Sequence, residues 1–168
     1  VRVFSWAQAI RLITGFFFIY TLMRIVFLHT KSFHYHRNNL ITDILSNVKK
    51  TDFQAFDFPY LRQHKKLLTN LFNLRKFIKN NKIDIVHTYD YIDAYLVFQT
   101  VKGLNVKVVF SDYEYHDEHK RFKRNIFKKV LRKVDYVICQ SETHKNYLIN
   151  NFNLNQNKCS KLFHAFCF

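Results

Sequence analysis

The segment KIDIVHTYDYIDAYLVFQTVKGLNVKVVF, residues 82–110, decides the fold class of this chain. Residues 82–87 and 106–110 are short, mainly apolar runs, which predict two buried strands. Residues 91–102 predict a helix that ends at Gly103, because glycine readily adopts the positive φ that suits a helix C-terminus. Since the two apolar runs are continuous rather than alternating, the segment indicates parallel strands joined by a helix, in a sheet that is covered on both faces.

The same alternation of strands and helices continues on both sides of this segment. Further strands are predicted at residues 24–28, 52–58, 134–139 and 161–163. Further helices are predicted at residues 37–47, 61–80, 120–133 and 141–150. The helix at 61–80 is expected to bury one apolar stripe, which consists of Leu67, Leu68, Leu71, Phe72, Leu74 and Ile78. The predicted fold class is α/β, a single Rossmann-like domain with three α/β/α layers and a mostly parallel sheet.

Polar side chains follow the predicted strands, in residues 29–36, 87–90, 111–119 and 140–142. Right-handed crossovers bring the ends of parallel strands to one edge of the sheet, where ligands bind in open α/β folds. The motifs G-x-G-x-x-G, G-x-x-x-x-G-K-[ST] and G-x-S-x-G do not occur in the chain. Their absence argues against a dinucleotide-binding domain and a P-loop NTPase, and it excludes the nucleophile elbow of an α/β-hydrolase.

The chain is strongly basic. Its 168 residues include 27 Lys and Arg against 12 Asp and Glu, a formal net charge of +15, and 48% hydrophobic residues, which excludes a disordered tail. The charge favours an anionic partner, such as nucleic acid, phospholipid or a phosphorylated substrate, but a compositional drift toward A/T-rich codons explains it equally well. A nucleic-acid-binding module is the weaker interpretation, because the sequence contains no helix-turn-helix, zinc-finger or RNP-like segment.

Cysteine and histidine spacing predicts neither a disulfide framework nor a metal site. Cys139, Cys159 and Cys167 are odd in number and form no C-x-x-C pair, which fits a reducing, cytoplasmic location. His34 and His36 would share one face of a strand, and residues 116–119 read H-D-E-H, but neither pattern matches a metal-ligand motif. We therefore expect polar loop histidines and no metal.

The first 22 residues differ in composition from the rest of the chain. The apolar run at residues 12–23 is shorter than the roughly 20 residues that a membrane-spanning helix needs, and no small-residue cleavage site follows it. Residues 1–22 are interpreted either as an upstream extension before a translation start at Met23, the only methionine, or as a membrane-lying segment. The predicted domain occupies residues 23–168.

Four segments, in this order and spacing, carry a resemblance to a known family. They are MRIVFLHT (23–30), IDIVHTYD (83–90), VKVVFSDYEYHDE (106–118) and VDYVICQSETHKNYL (134–148). Together they resemble the N-terminal domain of retaining glycosyltransferases of the GT-B fold, the glycosyltransferase family 4-like N-terminal domain. The resemblance implies a protein of two Rossmann-like domains, in which the C-terminal domain, missing from this chain, holds the nucleotide-sugar donor.

The resemblance further implies that this chain binds a sugar or lipid-linked glycan acceptor, with no cofactor of its own and no activity without the donor domain. The candidate acceptor-binding residues are His87, Asp90, Asp112, Tyr113, Glu114 and His116. Tyr113 stands where the family commonly has a histidine, and no catalytic residue is assigned. A decayed transferase domain that binds without catalysing is the alternative interpretation.

Each candidate also has a structural interpretation. His87 is alternatively a histidine bonded to a neighbouring backbone group, Asp90 and Ser141 are alternatively helix N-caps, and Asp112 and Glu114 are alternatively solvated loop carboxylates. Flat apolar surface for a sugar ring is expected from the tyrosines of the same loops, which are Tyr89, Tyr91, Tyr113 and Tyr115.

The predicted helix at residues 120–133 contains eight basic side chains and no acidic one. One interpretation is that it docks on anionic lipid, at about 1 kcal/mol for each basic residue near the surface. The expected membrane-contact residues are Lys120, Arg121, Lys123, Arg124 and Lys128. Such a protein would lie peripherally on the inner face of the membrane, which suits a lipid-linked acceptor. The other interpretation is an ordinary solvated helix face.

Overall fold

The computed structural model of the chain describes residues 23–28, 53–59, 61–62, 66–112 and 121–161. These residues contain six strands, which are β1 Met23–Leu28, β2 Phe53–Phe58, β3 Ile85–Thr88, β4 Lys107–Asp112, β5 Tyr136–Cys139 and β6 Cys159–Lys161. They form one sheet in the order β2-β1-β3-β4-β5-β6, and every pair of neighbours is parallel. The prediction of a Rossmann-like α/β domain with a parallel sheet is confirmed.

Four described helices connect successive strands from β2 onward. They are α1 Leu67–Asn80, α2 Tyr91–Thr100, α3 Arg121–Lys133 and α4 Glu142–Phe152. From β2 to β6 the chain crosses the sheet in one direction, so right-handed crossovers place all four helices on the same face. In agreement, all four contribute to one hydrophobic cluster, together with the alternate strand residues Val26, Leu28, Val86, Val108, Phe110, Val137, Cys139 and Cys159.

The opposite face of the sheet is buried as well. Its side chains come from the intervening strand positions, which include Ile25, Phe27, Ile85, His87, Val109, Ser111 and Ile138, each no more than 3% exposed. A strand that buries both faces carries no alternation of polar and apolar residues. The continuous apolar runs of the sequence therefore have the origin that we expected.

The ring of Phe127 is the centre of the helix-side core. It is fully buried and makes edge-to-face contacts with Tyr91, Phe110 and Phe152, with ring centroids 5.7, 6.2 and 4.9 Å away. Aromatic pairs favour this geometry, in which the positive ring edge meets the negative ring face. One side chain thus joins α2, β4, α3 and α4.

Two aspartates fix the strand register at the amino edge of the sheet. Asp84 directly precedes β3, and its Oδ2 accepts a hydrogen bond from the backbone N–H of Arg24 at 2.8 Å. Asp135 directly precedes β5, and its Oδ2 accepts one from the N–H of Val108, also at 2.8 Å. Each carboxylate satisfies a backbone donor of the neighbouring strand, a role that we did not assign to either residue from the sequence.

Two thiols meet between the last two strands. The Sγ atoms of Cys139 in β5 and Cys159 in β6 lie 3.0 Å apart, and both cysteines are free. In the strand register Cys159 stands opposite Val137, so the two cysteines are diagonal neighbours on the helix-covered face. The pair is buried, and it contributes to the contact between β5 and the short edge strand β6.

The predicted helix at 61–80 is wrong at its start and in part of its buried stripe. The helix begins at Leu67, and Leu61 lies in a turn. Leu74 is buried, but Phe72 is 68% exposed. These two residues are two apart, so at about 100° per residue they lie on nearly opposite sides of the helix. Leu68, one turn before Phe72, is 81% exposed for the same reason.

Other predicted boundaries also differ from the structure, among them the ends of β4, β6 and α2. Strand β4 continues two residues past 110 to Asp112, so Ser111 and Asp112 belong to a strand and not to a loop. Strand β6 ends at Lys161, where we expected a strand to begin. Helix α2 ends at Thr100, and Gly103, with a φ of +76°, lies in the turn that follows.

Several predictions fall outside the described residues, among them the helix at 37–47, the polar loop at 29–36 and the interpretation of residues 1–22. Within the described part of the chain, no helix combines the length and the apolar character that crossing a membrane requires.

Candidate functional site

The carboxyl ends of β3 and β4 form the edge at which the candidate residues were expected. The two strands are adjacent and parallel, with Ile85 opposite Lys107 and Thr88 opposite Phe110. Residues 87–90 and 111–112 therefore share one edge of the sheet, while residues 113–119 lie outside the described part. The polar side chains at this edge separate into three groups, one on each face of the sheet and one around the start of α2.

The first group lies on the face opposite the helices. The Nε2 atom of His87 is 2.7 Å from the Oγ atom of Ser111, a diagonal neighbour on the next strand. The imidazole also stacks on Tyr89, with centroids 4.5 Å apart, and meets the ring of Phe27 at 5.2 Å. Both His87 and Ser111 are buried, at 1% and 0% exposure. Burial lowers the pKa of His87 from 6.5 to about 3, so the ring is neutral at neutral pH.

This environment supports a structural role for His87, in which its imidazole contacts the hydroxyl group of Ser111. A neutral imidazole donates through one ring nitrogen and accepts through the other, so it can pair with a hydroxyl group in either direction. The contact ties the end of β3 to the end of β4 and sets the position of Thr88 to Asp90 beyond it. Acceptor binding by His87 stays a prediction.

The second group lies on the helix-covered face. Asp112, at the end of β4, has its Oδ2 atom 3.4 Å from the Nε2 atom of His144, in the first turn of α4. Both side chains are buried, so Asp112 is not the solvated loop carboxylate of the alternative interpretation. His144 was not predicted as a site residue. The only signal in the sequence was its position three residues after Ser141, where a helix was expected to begin.

The third group centres on the guanidinium of Arg62. Its Nη2 atom is 2.7 Å from Oδ2 of Asp90, and its Nε atom is 2.7 Å from Oδ1 of Asp93. The other oxygen of Asp90, Oδ1, accepts hydrogen bonds from the backbone N–H groups of Ile92 at 2.7 Å and Asp93 at 3.3 Å. Asp90 is therefore the N-cap of α2, as its structural interpretation predicted, and Arg62 joins this cap to the turn after β2.

The pKa of Asp93 is raised from 3.8 to about 7. Burial is the main cause and repulsion from Asp90 adds to it, whereas the ion pair and hydrogen bond with Arg62 act in the opposite direction. The 2.7 Å contact with Arg62 favours the carboxylate, but the cost of desolvating a charge in the first turn of α2 outweighs it. Near neutral pH, Asp93 exchanges a proton between its neutral and charged forms.

Ser141 is confirmed as a helix cap, because its Oγ atom accepts a hydrogen bond from the N–H of His144 at 3.1 Å. Two tyrosines do not provide the flat surface that we expected for a sugar. Tyr89 is 3% exposed against His87, and Tyr91 is 8% exposed with its ring on Phe127. Both rings are used by the interior of the domain.

The remaining predicted residues divide between the two parts of the chain. Tyr113, Glu114, His116 and Lys120 lie outside the described residues, as does Tyr115. Of the expected membrane-contact residues, Arg121, Lys123 and Arg124 are exposed and Lys128 is half-buried. All four belong to α3, which begins at the edge of the sheet where β4 ends.

Comparisons with known proteins agree with this architecture. A family model described as Glycosyltransferase Family 4 matches residues 24–161. No curated protein sequence gives a significant match. Among solved structures, a glycosyltransferase from Rickettsia africae ESF-5 superposes with a TM-score of 0.55 at 18% identity, over 84% of this chain and 43% of that protein. This identity shows a shared fold, and the chain spans less than half of the length of that protein. Because the family model covers most of its residues, the chain belongs to Glycosyltransferase Family 4.

Proposed function

We propose that this chain is the acceptor-side domain of a glycosyltransferase that moves a sugar from a nucleotide-sugar donor to a glycan or a lipid-linked acceptor. The observation that carries the proposal is the family match over residues 24–161. The sheet supports it, because polar side chains from β3 and β4 meet at its carboxyl edge, where open α/β folds bind ligands. The donor would be held by a second domain, in keeping with the 43% coverage of the solved relative.

The contacts of the described residues support two different roles for the candidate residues, positioning of the edge and binding of the acceptor. His87 and Asp112 are buried and hold the ends of β3 and β4 against Ser111 and His144. Asp90 caps α2. In our proposal these three side chains position the edge, and Tyr113, Glu114 and His116, which directly follow β4, contact the acceptor hydroxyl groups. Asp90 keeps its role as an acceptor ligand only if a hydroxyl group displaces Arg62 from its second oxygen.

Binding to an array of free and lipid-linked oligosaccharides tests the proposal. We expect the chain to retain a defined class of glycan and to lose it in Glu114→Gln and His116→Ala. The matched control is Asn105→Ala, because Asn105 is exposed near the amino end of β4, on the far edge of the sheet. Absence of glycan binding, or equal loss in the control, would contradict an acceptor site at the carboxyl edge.

The proposed transferase needs a second domain that binds the donor, whereas a decayed domain that only binds the acceptor does not. Reading the coding sequence downstream of Phe168 separates the two. A second α/β domain in the reading frame, or in a frame shifted from it, supports the transferase. Transfer of a radiolabelled sugar by the joined domains, and not by this chain alone, would then show that the second domain is required for activity.

A further inference from the structure

Helix α3 presents a cationic surface to solvent. Its buried side is formed by Phe127, Val130 and Leu131, which pack into the helix-side core. Its remaining residues include seven basic side chains and no acidic one, namely Arg121, Lys123, Arg124, Lys128, Lys129, Arg132 and Lys133. Among the residues that the structure describes, none of these seven forms an ion pair with a carboxylate. The positive charge of α3 is thus not neutralised within this part of the domain.

Two of the seven cations lie over aromatic rings of the same domain. The guanidinium of Arg124 is 5.4 Å from the ring centroid of Phe152, and the ammonium of Lys133 is 6.0 Å from that of Phe98. Such contacts are cation–π interactions. The other exposed cations, which are Arg121, Lys123, Lys129 and Arg132, have no such contact among the described residues and extend the surface available to an anionic partner.

An exposed aromatic side chain lies within this cationic surface. Phe122 is 75% exposed, between Arg121 and Lys123 in the first turn of α3. Isolated exposed apolar residues are common, but this ring has a basic residue on each side in the sequence and lies at the end of a helix whose exposed side is cationic. An aromatic ring beside basic side chains is the composition of helices that lie in the interface of an anionic bilayer.

The position of Phe122 relates this surface to the candidate site. Helix α3 connects the carboxyl end of β4 to the amino end of β5, so its first turn lies toward the edge that carries Asp112. Its last turn, with Arg132 and Lys133, lies toward the opposite edge. The exposed ring and the carboxyl ends of β3 and β4 therefore belong to the same end of the domain.

We propose that α3 docks on an anionic phospholipid bilayer, with Phe122 entering the interface and the flanking cations contacting lipid head groups. The docked helix holds the carboxyl edge of the sheet at the membrane, where a lipid-linked acceptor would be presented. Only this last consequence rests on the proposed function. The docking itself is inferred from the charge and exposure of α3, so its test does not depend on whether the chain binds a glycan.

Sedimentation with vesicles tests the docking. The probes are vesicles of phosphatidylcholine alone and vesicles that also contain phosphatidylserine, with the 168-residue chain. We expect binding only to the mixed vesicles and a loss of binding with added salt. Arg121→Glu should weaken it by more than tenfold, since each charge near the surface contributes about a fivefold change in affinity. Lys76→Glu, the same charge reversal at an exposed position of α1, is the matched control and should change binding by less than about twofold.

The role of Phe122 needs a second measurement, because sedimentation alone does not show insertion. Phe122→Trp, in a chain whose only tryptophan is replaced by Trp6→Phe, provides a fluorescent reporter at this position. We expect its emission to shift to shorter wavelength on mixed vesicles and to stay unchanged on phosphatidylcholine alone. Phe122→Ser should weaken vesicle binding while leaving the far-ultraviolet circular dichroism unchanged.

Three results would overturn the proposal. The first is vesicle binding that is equal in the native chain, Arg121→Glu and Phe122→Ser. The second is a fluorescence emission of the Phe122→Trp reporter that does not respond to mixed vesicles. The third is tight binding to oligonucleotides at moderate salt without binding to vesicles, which would assign the same cations to nucleic acid. Glycan binding that persists through any of these results would leave the proposed function in place.

Discussion

His87 and Asp93 are buried ionisable side chains near the carboxyl edge, and burial disfavours the charged form of both. For His87 the neutral form is the base, so its pKa falls to about 3, whereas for Asp93 the neutral form is the acid, so its pKa rises to about 7. The two residues therefore give opposite contributions to the pH dependence of stability, and single substitutions separate them.

For His87, the unfolded chain binds a proton below pH 6.5 while the folded chain stays neutral down to about pH 3. Its contribution to stability is thus present above pH 6.5 and is lost as the pH falls toward 3. We expect His87→Gln to abolish this loss, so that the unfolding equilibrium constants of native chain and variant diverge by up to about tenfold per pH unit in this window. Urea unfolding at several pH values measures it, and parallel pH profiles would contradict the buried neutral ring.

For Asp93, the folded chain keeps a proton that the unfolded chain releases above pH 3.8. Its contribution to stability is present below pH 3.8 and is lost as the pH rises through about 7. Asp93→Asn should therefore flatten the decline in stability between these pH values, a change opposite in sign to that of His87→Gln. The same urea titrations test this, and a variant that declines as steeply as the native chain would show that Arg62 keeps Asp93 charged.

At the scale of single elements, α4 depends on its first residue outside the helix. Ser141 accepts the backbone hydrogen bond of His144, one of the amide groups that has no partner within the helix. Ser141→Ala should lower the free energy of unfolding by about 1 kcal/mol, and Ser141→Asn should restore most of it because Asn caps equally well. Thermal unfolding of the three proteins checks this, and an equal loss in both variants would contradict the capping role.

Helix α3 allows a comparison between two phenylalanines five residues apart. Phe127 is fully buried against three aromatic rings, whereas Phe122 is 75% exposed. Phe127→Ala should cost about 3 to 5 kcal/mol, because it leaves a cavity where α2, β4, α3 and α4 meet. Phe122→Ala should stay within about 0.5 kcal/mol of the native chain. Denaturant unfolding of both variants measures the difference, and similar losses would place Phe122 in the core.

At the scale of the whole molecule, the parallel sheet has a stable centre and weaker borders. Strands β3 and β4 have a strand on each side and are covered on both faces, whereas β2 and β6 border the described sheet. Local opening requires the least free energy where backbone hydrogen bonds have few buried neighbours. We expect the amides of Val86 and Phe110 to exchange with solvent hydrogen more slowly than those of β2 and β6. Native-state hydrogen exchange would contradict this if all strands exchanged at one rate.

The fold was predictable from the sequence because strands that are buried on both faces appear as unbroken apolar runs. Such a run shows where a strand lies, but not how far it continues into polar residues. Asp112 was expected in a loop, but it is buried in β4, where it contacts His144, 32 positions later in the sequence. Likewise, Arg62 pairs with Asp90 and Asp93 across 28 and 31 positions. Contacts at such separations depend on tertiary structure and have no signal in the local sequence. The position of the polar residues at the carboxyl edge of the sheet was therefore predictable, but the pairs that these residues form with each other were not.

The rate at which the thiols between β5 and β6 are chemically modified reports on the opening of this border of the sheet. We expect an alkylating reagent to reach Cys159 only after the three-residue strand β6 separates from β5, since its sulfur is packed against Cys139 and the residue is 6% exposed. The speed at which Cys159 is modified, followed by peptide mass mapping, thus reports how often the final described strand detaches. If a substitution in the helix-side core destabilises the domain but leaves this modification rate unchanged, it does not alter the opening of β6.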